Sequence, residues 1–456
     1  MIYVHVPFCR SFCTYCDFYS EVASRCRKAE DAQKQEALFE DFAQALACEV
    51  SSRAGEITDD VNTLYIGGGT PSVLPLSAFQ ALLDALRSVG HGGPFDEFTV
   101  EVNPEDIIEK GHAYVEGLLE LGVNRISMGV QSFDDTVLKF MNRRHSADEA
   151  VRAYAILEEA GVRNISIDLI FGLPQLSMDQ WREALDKALS ISSRGVLPQH
   201  ISSYQLSVEP GSMLARLVEK GRWNEASDEL CQEQYEALCS ALSAAGYHHY
   251  EISNFAQPGF EAVHNSAYWR HVPYVGLGPG AHSYINPAEI SPDTLFRGSE
   301  YHDNLHSSPL YCIRQWNLQD LQAYIDAGKA ALAQSEASER ASAEDSLCDP
   351  FATVSEGETL DEEQLVMERL MLGLRTSAGL PESFLREYCD PEALADALAT
   401  GLLVPSDPVL GDSADPALGV SADPALRVCG VAAKEPYLRI PERHFFISDA
   451  IIADLV

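Results

Sequence analysis

Short apolar runs alternate with longer amphipathic stretches through the N-terminal half of the chain. Six of the short runs have the composition of β-strands. They are IYVHV (2–6), NTLYIG (62–67), EFTVEV (97–102), RISMGV (125–130), NISIDLIF (164–171) and HISSYQLSV (200–208). The stretches between them, such as MDQWREALDKALSI, carry apolar residues at i, i+3 and i+4 and therefore predict helices.

This alternation predicts an α/β fold. Strands connected by helices form right-handed βαβ units and a parallel sheet. Several predicted helices end in glycine before the next strand, as in LEEAGVRN and LLELGVNR. Six units are fewer than the eight of a closed barrel, so the pattern predicts a partial (β/α)6 barrel that is open on one side. We expect its ligands at the carboxyl ends of the strands.

Two stretches in the second half of the chain have the composition of insertions. Residues 336–363 contain ten acidic residues and one basic residue amid Ser, Ala and Gly, which predicts a solvated loop. Residues 413–428 are a tandem octapeptide, SADPALGV followed by SADPALRV, whose Asp-Pro pairs favour turns. Two short copies are too few for a solenoid.

These features predict three parts of the chain. We interpret residues 1–300 as the barrel core and residues 301–361 as a linker that contains the acidic loop. Residues 362–456 begin with the helical pattern EEQLVMERLMLGLRTSAGL and end in HFFISDAIIADLV. They predict a small, mainly helical C-terminal domain that is interrupted by a repeat insertion at 406–428.

The charge of the chain narrows its possible partners. It has 69 acidic and 32 basic residues, a formal net charge of -37, and such a surface repels nucleic acids and anionic lipids. We therefore expect no nucleic-acid partner. No run approaches the roughly 20 apolar residues of a transmembrane helix, and the first residues lack the pattern of a signal peptide. Eleven cysteines, an odd number, fit reduced thiols and a cytoplasmic protein.

Three of these cysteines lie close together, directly after the first predicted strand. They are Cys9, Cys13 and Cys16 of PFCRSFCTYCDFYS, and Phe18 stands where a fourth might be expected. Thiolates suit zinc or iron–sulfur clusters. Structural zinc usually takes four ligands, and the sequence has no second CxxC pair. A [4Fe–4S] cluster held by three cysteines leaves one iron open to a chelating ligand, and we favour this interpretation.

A glycine-rich segment, YIGGGTPS at residues 65–72, follows the second predicted strand. Three consecutive glycines allow a ligand to approach the backbone directly. The Lys-Ser/Thr pair of a P-loop and the GxGxxG spacing of dinucleotide sites are both missing. Alone, the segment fits a tight turn equally well. One βα unit after the cysteines, it indicates the binding site of the organic ligand of the open iron.

Together these motifs resemble those of the radical S-adenosylmethionine (SAM) superfamily. The CxxxCxxC spacing with Tyr15 before the last cysteine resembles its cluster motif, and GGGTP resembles the motif that contacts the SAM amino group. The segments YVHVPFC, EVNPED, GVNRISMGVQSFDD, SIDLIFGLP, YEISNFA, HNSAYW and GLGPGAHSY resemble the HemN/HemW branch of the superfamily. The later segment MERLMLGLRTSAGL resembles the C-terminal domain of the same branch.

The resemblance implies cofactors and site residues. Cys9, Cys13 and Cys16 are the expected ligands of the [4Fe–4S] cluster, and SAM is expected to chelate the fourth iron. The positions that match those holding this SAM in the family are Tyr3, Tyr15, Gly68 and Glu101. The positions that match those holding a second SAM in the branch are Gly69, Thr70, Gln131, Arg143 and Asp168. From the residues alone, Arg143 is equally consistent with a solvated surface charge.

The HemN/HemW branch contains two functions. One is the oxygen-independent coproporphyrinogen III oxidase of porphyrin biosynthesis, an enzyme that decarboxylates propionate side chains by radical chemistry. The other is a haem chaperone, which binds haem and transfers it to acceptor proteins. The oxidase motif continues to a fourth cysteine where this chain has Phe18, and the oxidase carries an N-terminal extension where only eight residues precede Cys9 here.

A further motif favours the chaperone. The segment HNSAYW (264–269) matches the HNxxYW haem-binding motif of that group. The match implies His264 as the axial ligand of haem iron, with Tyr268 and Trp269 forming an aromatic wall. We therefore expect a haem chaperone with a [4Fe–4S] cluster, SAM and haem, whose partners are haem-accepting proteins. Oxidase activity is the alternative, and we do not expect it; a cysteine-rich zinc protein is a weaker third hypothesis.

Overall fold

A computed structural model describes most of the chain. The described residues are 1–22, 29–57, 61–286, 312–338, 349–406 and 436–456. The tandem octapeptide at 413–428 lies outside them, as do the predicted boundary at residue 300 and Cys26. The division of the chain into three parts therefore stays a prediction.

The described residues form strands and helices in the alternating order that the sequence predicts. The strands are β1 (Ile2–Val6), β2 (Phe8–Cys9), β3 (Glu21–Val22), β4 (Thr63–Gly68), β5 (Glu97–Val102), β6 (Arg125–Gln131), β7 (Ile165–Phe171), β8 (His200–Gln205), β9 (His248–Glu251), β10 (Asn254–Ala256), β11 (Val275–Leu277), β12 (His282–Ile285), β13 (Cys312–Asn317), β14 (Ser355–Leu360), β15 (Leu380–Pro381), β16 (Val404–Ser406) and β17 (Tyr437–Arg439). The helices are α1 (Ala29–Ser52), α2 (Leu76–Ser88), α3 (Pro104–Glu120), α4 (Asp135–Phe140), α5 (Ala147–Ala160), α6 (Met178–Leu189), α7 (Met213–Glu219), α8 (Asp228–Ala244), α9 (Val263–Trp269), α10 (Leu321–Ser338), α11 (Glu362–Gly373), α12 (Glu382–Tyr388), α13 (Pro391–Thr400) and α14 (Ser448–Leu455).

The central sheet has nine strands in the order β11-β1-β4-β5-β6-β7-β8-β10-β9. Six consecutive strands of this sheet, β1 and β4 to β8, are parallel to one another and correspond to the six strands predicted from the sequence. Strand β11 adds a parallel neighbour to β1, while β10 and β9 continue the other side in antiparallel register. The prediction of a partial (β/α)6 barrel is confirmed.

The two faces of the parallel strands differ in polarity. On β5, Phe98 and Val100 belong to the hydrophobic core, while Glu101 lines an internal cavity. On β7, Ile167 and Leu169 are in the core, and Asp168 between them lines the same cavity. Successive residues of a strand point to opposite faces. The helices therefore cover the apolar outer face, and the inner face, which we call the lumen, is polar.

Local sequence signals set the ends of the helices. The Ser146 hydroxyl accepts a hydrogen bond from the Glu149 amide, and the Glu149 carboxylate accepts one from the Ser146 amide, which forms a capping box at the start of α5. Ser177 and Gln180 form the same arrangement at the start of α6. Gly161, at the end of α5, adopts φ +99°, so the predicted glycine stop is confirmed.

The acidic segment 336–363 is more structured than its composition predicts. Its described residues include the end of α10, a short 3-10 helix at Pro350–Val354 and strand β14, which pairs antiparallel with β13. The expectation of a loop is wrong for this part. Phe351, Val354 and Leu360 are buried apolar anchors. The ten acidic residues dominate the composition of the segment, so composition alone does not predict that these three apolar residues are buried.

The C-terminal region packs against the β9 side of the barrel. Helices α11 to α14 surround a small sheet of order β15-β17-β16, which agrees with the predicted, mainly helical region. The Ile252 amide donates to the Arg375 carbonyl at 3.1 Å, and the Ser377 amide donates to the Tyr250 carbonyl at 2.9 Å. Within the described ranges, every helix is too short or too polar to traverse a membrane.

Candidate functional site

A cavity of about 620 Å³ extends from the carboxyl ends of the parallel strands into the lumen. Ligand sites commonly occupy cavities of about 300–1,000 Å³. The predicted site residues that line it are Tyr3, Cys9, Cys13, Tyr15, Cys16, Gly68, Gly69, Thr70, Glu101, Gln131, Arg143, Asp168, His264 and Tyr268. Trp269 is the predicted residue that the structure does not place in this lining. The fold therefore brings together residues that are up to about 260 positions apart in sequence.

The three cysteines lie on the loop that follows β1, at one wall of the cavity. The loop is held by the Thr14 amide, which donates to the Met141 carbonyl at 3.1 Å. The Cys9 Sγ lies 3.5 Å from Thr70 Oγ1, and the Cys13 Sγ accepts from an Arg143 Nη1 at 3.5 Å. Burial raises the pKa of Cys16 to about 12. Thiolates are the metal ligands, so cluster assembly must displace such protons.

The donor set fits an iron–sulfur cluster better than one zinc ion. Across the part of the chain that the structure describes, no three His, Cys, Asp or Glu side chains converge as the ligands of a single ion do. A cluster instead takes one thiolate on each of several irons, so its ligands need not meet at a point. The Phe18 side chain, 64% exposed, stands on the same loop where a fourth cysteine might be expected.

The three glycines at the end of β4 and directly after it make close contacts within the protein. Gly68 has φ +104°, and a Cβ there would lie 2.8 Å from the His5 ring. A Cβ on Gly69 would lie 2.7 Å from the Phe8 carbonyl oxygen, and one on Gly67 would lie 2.9 Å from Glu101 Oε1. Gly68 and Gly69 thus lie against β1 and the residue that follows it by two positions, and Gly67 lies against Glu101 of β5. These contacts require glycine in addition to the ligand-binding role of the segment, which stays a prediction.

Two half-buried carboxylates face the lumen. Glu101 Oε1 accepts a 2.6 Å hydrogen bond from the Tyr65 hydroxyl, and burial raises the pKa of Glu101 to about 7. Burial also raises the pKa of Asp168 to about 6, against the opposing effects of Arg125 and of hydrogen bonds from serines. One of these serines, Ser127, donates to Asp168 Oδ1 at 3.3 Å. Both groups can therefore be held neutral or ionised near pH 7, depending on what lies beside them.

Arg143 is an interior residue. Its Nη2 donates to Asn103 Oδ1 at 2.6 Å and to the Gly129 carbonyl at 2.7 Å, while Nη1 faces Cys13. The alternative of a solvated surface charge is wrong. Nearby, Gln131 adopts φ +66° at an irregularity in the β6–β7 register. Backbone strain of this kind is concentrated at functional sites, because the surroundings must enforce it.

His264 occupies the opposite end of the cavity from the cysteines. It lies on α9 beside the first residue of β4, and its Nδ1 is 2.8 Å from Thr63 Oγ1. Its Nε2 is 3.0 Å from the Tyr268 hydroxyl, so both ring nitrogens have partners. The ring is 1% exposed, and burial lowers its pKa to about 3. In this conformation the imidazole can bind iron only if one of these hydrogen bonds opens.

Several residues of the site were missed by the sequence analysis. Glu97 accepts hydrogen bonds from the Val263 and His264 amides and so fixes the start of α9. Tyr65 and Arg125 line the cavity, as do the further polar residues Asn103, Ser127, His200 and Ser202. Most of them alternate with apolar residues along the predicted strands. This period of two is the signal that would have placed them in the lumen.

Comparison with known proteins identifies the family of this chain. Residues 3–188 match the Radical SAM superfamily. The heme chaperone HemW of Bacillus subtilis is 36% identical over 285 residues, which are 62% of this chain and 70% of that protein. The chain belongs to the HemW family of radical SAM proteins. The heme chaperone HemW of Escherichia coli is 35% identical with the same coverage, 62% of this chain and 70% of its own.

More distant relatives extend the comparison. The mitochondrial radical S-adenosyl methionine domain-containing protein 1 of Danio rerio is 32% identical over 63% of this chain and 60% of its own length. Among solved structures, coproporphyrinogen III oxidase (HemN) from Escherichia coli aligns with 99% of this chain and 89% of its own, with a TM-score of 0.66 and 18% identity. This likeness shows that the two proteins share a fold.

Proposed function

We propose that this protein is a haem chaperone of the radical SAM type, which binds haem and transfers it to acceptor proteins. The observation that supports the proposal is the set of residues that line one cavity. Three thiols line one end, where strands finish, and the histidine and tyrosine of the HNxxYW motif line the other. Membership of the HemW family supports it independently. The described cysteines form no disulfide bonds, which fits a cytoplasmic location.

In this proposal, Cys9, Cys13 and Cys16 hold a [4Fe–4S] cluster on the cysteine loop. The cluster supplies an open iron and an exchangeable electron. The Arg143 guanidinium donates to the Cys13 Sγ, and the Thr70 hydroxyl can donate to Cys9. These contacts hold the cysteine loop at the wall of the cavity, where the three thiols would hold the cluster.

The SAM molecule in this proposal lies between the cysteine loop and the lumen. Tyr3, Gly68 and Glu101 line its place, and ionised Glu101 provides a carboxylate for its ammonium or ribose hydroxyls. Tyr15 supplies a further contact. A group of five residues can hold either this SAM molecule or a second one. That group is Gly69, Thr70, Gln131, Arg143 and Asp168.

Haem is the cargo in this proposal, and His264 is its protein ligand. The buried ring must first exchange its contact with Tyr268 for the iron. A ligand that is paired when haem is absent releases its cargo more readily than a free one, because the hydrogen bond reforms as haem leaves. Tyr268 then forms part of the cavity wall. Trp269 contributes only if α9 moves, since its indole lies outside the lining.

The experiment that tests this function uses one anaerobic sample for two assays. Haem is titrated into the cluster-loaded protein, and coproporphyrinogen III is offered to the same sample with SAM and a reductant. We expect about one haem per chain and no conversion of coproporphyrinogen. His264→Ala should shift the Soret band and weaken binding, while the exposed His112→Ala serves as the control. Conversion of coproporphyrinogen without saturable haem binding would establish the oxidase instead.

A further inference from the structure

Arg125 is a buried cation that the protein leaves without a partner. It is the first residue of β6, 3% exposed, and lines the cavity at the lumen. Its Nε is buried and has no hydrogen-bond partner. Among the described residues, no carbonyl, hydroxyl or carboxylate accepts a hydrogen bond from any part of its guanidinium, and none forms an ion pair with it. A buried charge in this state is costly unless something else pairs with it.

Two other arginines of this chain have acceptors within the protein for their guanidinium groups. Arg53 donates to the carboxylates of Glu49 and Glu56, to the Gly276 carbonyl and to the Ser283 hydroxyl. Arg143 has acceptors in a side-chain amide and a backbone carbonyl. The Arg143 Nε also lacks a partner, but both of its terminal nitrogens are bonded. Arg125 differs from both arginines in that no nitrogen of its guanidinium has a partner among the described residues.

The neighbours of Arg125 are already engaged. Burial raises the pKa of both lumen carboxylates, Glu101 and Asp168, and the charge of Arg125 opposes part of that rise. Neither carboxylate forms an ion pair with Arg125. Glu101 accepts from Tyr65, and Asp168 accepts from Ser127. His200 is bonded through both ring nitrogens, to Ser166 at 2.7 Å and to the Tyr250 hydroxyl at 2.8 Å. The guanidinium donors are thus available to a molecule in the cavity.

We infer that Arg125 binds a carboxylate group of a ligand that occupies the lumen. A guanidinium presents two parallel N–H donors that match the two oxygens of a carboxylate. The inference rests on the proposed function, because haem carries two propionate carboxylates. His264 lines the same cavity, and the Arg125 charge contributes to its lowered pKa, so the two residues lie near each other. A haem that reaches His264 brings its propionates toward Arg125. SAM is a second source of a carboxylate.

Binding titrations on the cluster-loaded full chain distinguish these sources. The probes are haem, haem dimethyl ester, in which the propionates are masked, and SAM. Arg125→Gln should weaken haem binding about 10- to 100-fold, the loss expected for a hydrogen bond to a charged group, and should leave binding of the ester unchanged. Arg125→Lys should restore part of the affinity. Arg182→Gln, on an exposed helical face, is the matched control and should change nothing.

A second readout separates ligand binding from a structural role. Because Arg125 has no partner in the described structure, ligand-free Arg125→Gln should unfold at the same temperature as the wild type or higher. A clearly lower midpoint would show that the residue supports the fold and would overturn the inference. Loss of SAM affinity with unchanged haem affinity would assign the carboxylate to SAM. Unchanged affinity for both ligands would refute the inference. If wild-type protein binds no haem, the proposed function fails and the SAM titration alone decides the role of Arg125.

Discussion

Two buried polar regions of this protein are built in opposite ways. In the first, which we call the Glu49 network, a fully buried carboxylate accepts from Arg53, the Gly278 amide, Asn317 and the Tyr324 hydroxyl. The four partners come from the residue after α1, the segment after β11, β13 and α10. In the second, the lumen, Arg125 has no partner and two carboxylates have pKa values raised to about 7 and about 6.

The difference separates polar groups that maintain the fold from polar groups that await a ligand. Every charge in the Glu49 network is matched by a permanent partner, so the network connects elements far apart in sequence. The lumen keeps charges that are unfavourable while it is empty, and bound ligands can supply the missing partners. Changes in the first region should therefore cost stability, and changes in the second should cost binding.

The largest effect is expected at the cysteine loop. Replacing Cys9, Cys13 or Cys16 by Ala should abolish the cluster, because each thiolate is the proposed ligand of one iron. Iron analysis after anaerobic reconstitution should fall from about four per chain to near zero, and the brown absorbance should disappear. Cys389→Ala, in the C-terminal region, is the control and should retain full iron. Retention of full iron by any of the three variants would remove that residue from the ligand set.

The next largest effect is expected in the Glu49 network. Glu49→Leu leaves Arg53 with Glu56 as its one carboxylate partner among the described residues and deprives Asn317 and Tyr324 of an acceptor. We expect the free energy of unfolding to fall by about 3–5 kcal/mol, the range for breaking a buried ion pair. Denaturant titration provides the measurement. The exposed Glu183→Leu should remain within about 0.5 kcal/mol of the wild type. A fall of less than about 1 kcal/mol for Glu49→Leu would contradict the structural role of this network.

A smaller, pH-dependent effect is expected at Glu101. Its pKa of about 7 in the fold lies above the ordinary value of 4.5, so the folded state binds this proton more tightly than the unfolded state does. Its contribution to stability is present below pH 4.5 and is lost as the pH rises through about 7. Glu101→Gln removes the titrating group, so at pH 8 the ligand-free variant should be more stable than the wild type by about 1–3 kcal/mol.

The control for Glu101 is the same comparison at low pH. Near pH 4.5 the two proteins should have similar unfolding midpoints, because the wild-type carboxyl is then protonated. Other titrating groups affect both proteins equally, so the difference between them isolates this residue. A difference that does not grow with pH would show that Glu101 is already ionised without cost in the fold.

The smallest effect is expected at Phe18. Its side chain is 64% exposed, so Phe18→Ser should change the free energy of unfolding by less than about 0.5 kcal/mol. Iron content should also be unchanged, since the proposed ligand set does not include this position. Reduced iron in the variant would show that the aromatic ring shields the cluster.

The sequence predicts the barrel well because its signals are local. Alternation of strands and helices, capping residues such as Ser146, and glycine stops such as Gly161 each act over a few residues. The same holds for the cysteine loop, whose three thiols lie within eight positions. The carboxyl ends of neighbouring parallel strands meet at one edge, so the mouth of the cavity follows from strand order alone.

The features that the sequence does not predict depend on contacts between segments that are distant along the chain. Gly68 is required by the His5 ring, 63 positions earlier, and the pairing of His264 on α9 depends on Thr63 of β4. The absence of a partner for Arg125 is likewise a property of the assembled lumen, since nothing in RISMGV distinguishes it from a surface arginine. The alternation of residues along a strand identifies those that face the lumen, but it does not predict which of them have hydrogen-bond partners.

The central claim is that the lumen is completed by ligands whereas the Glu49 network is complete without them. Its most direct test is the unfolding midpoint of the cluster-loaded wild-type chain under anaerobic conditions, measured with saturating haem, with SAM and without either. Each ligand should raise the midpoint, and at 100 times its dissociation constant it should add about 2.7 kcal/mol to the free energy of unfolding. Midpoints that neither ligand changes would contradict the claim and leave the lumen charges unexplained.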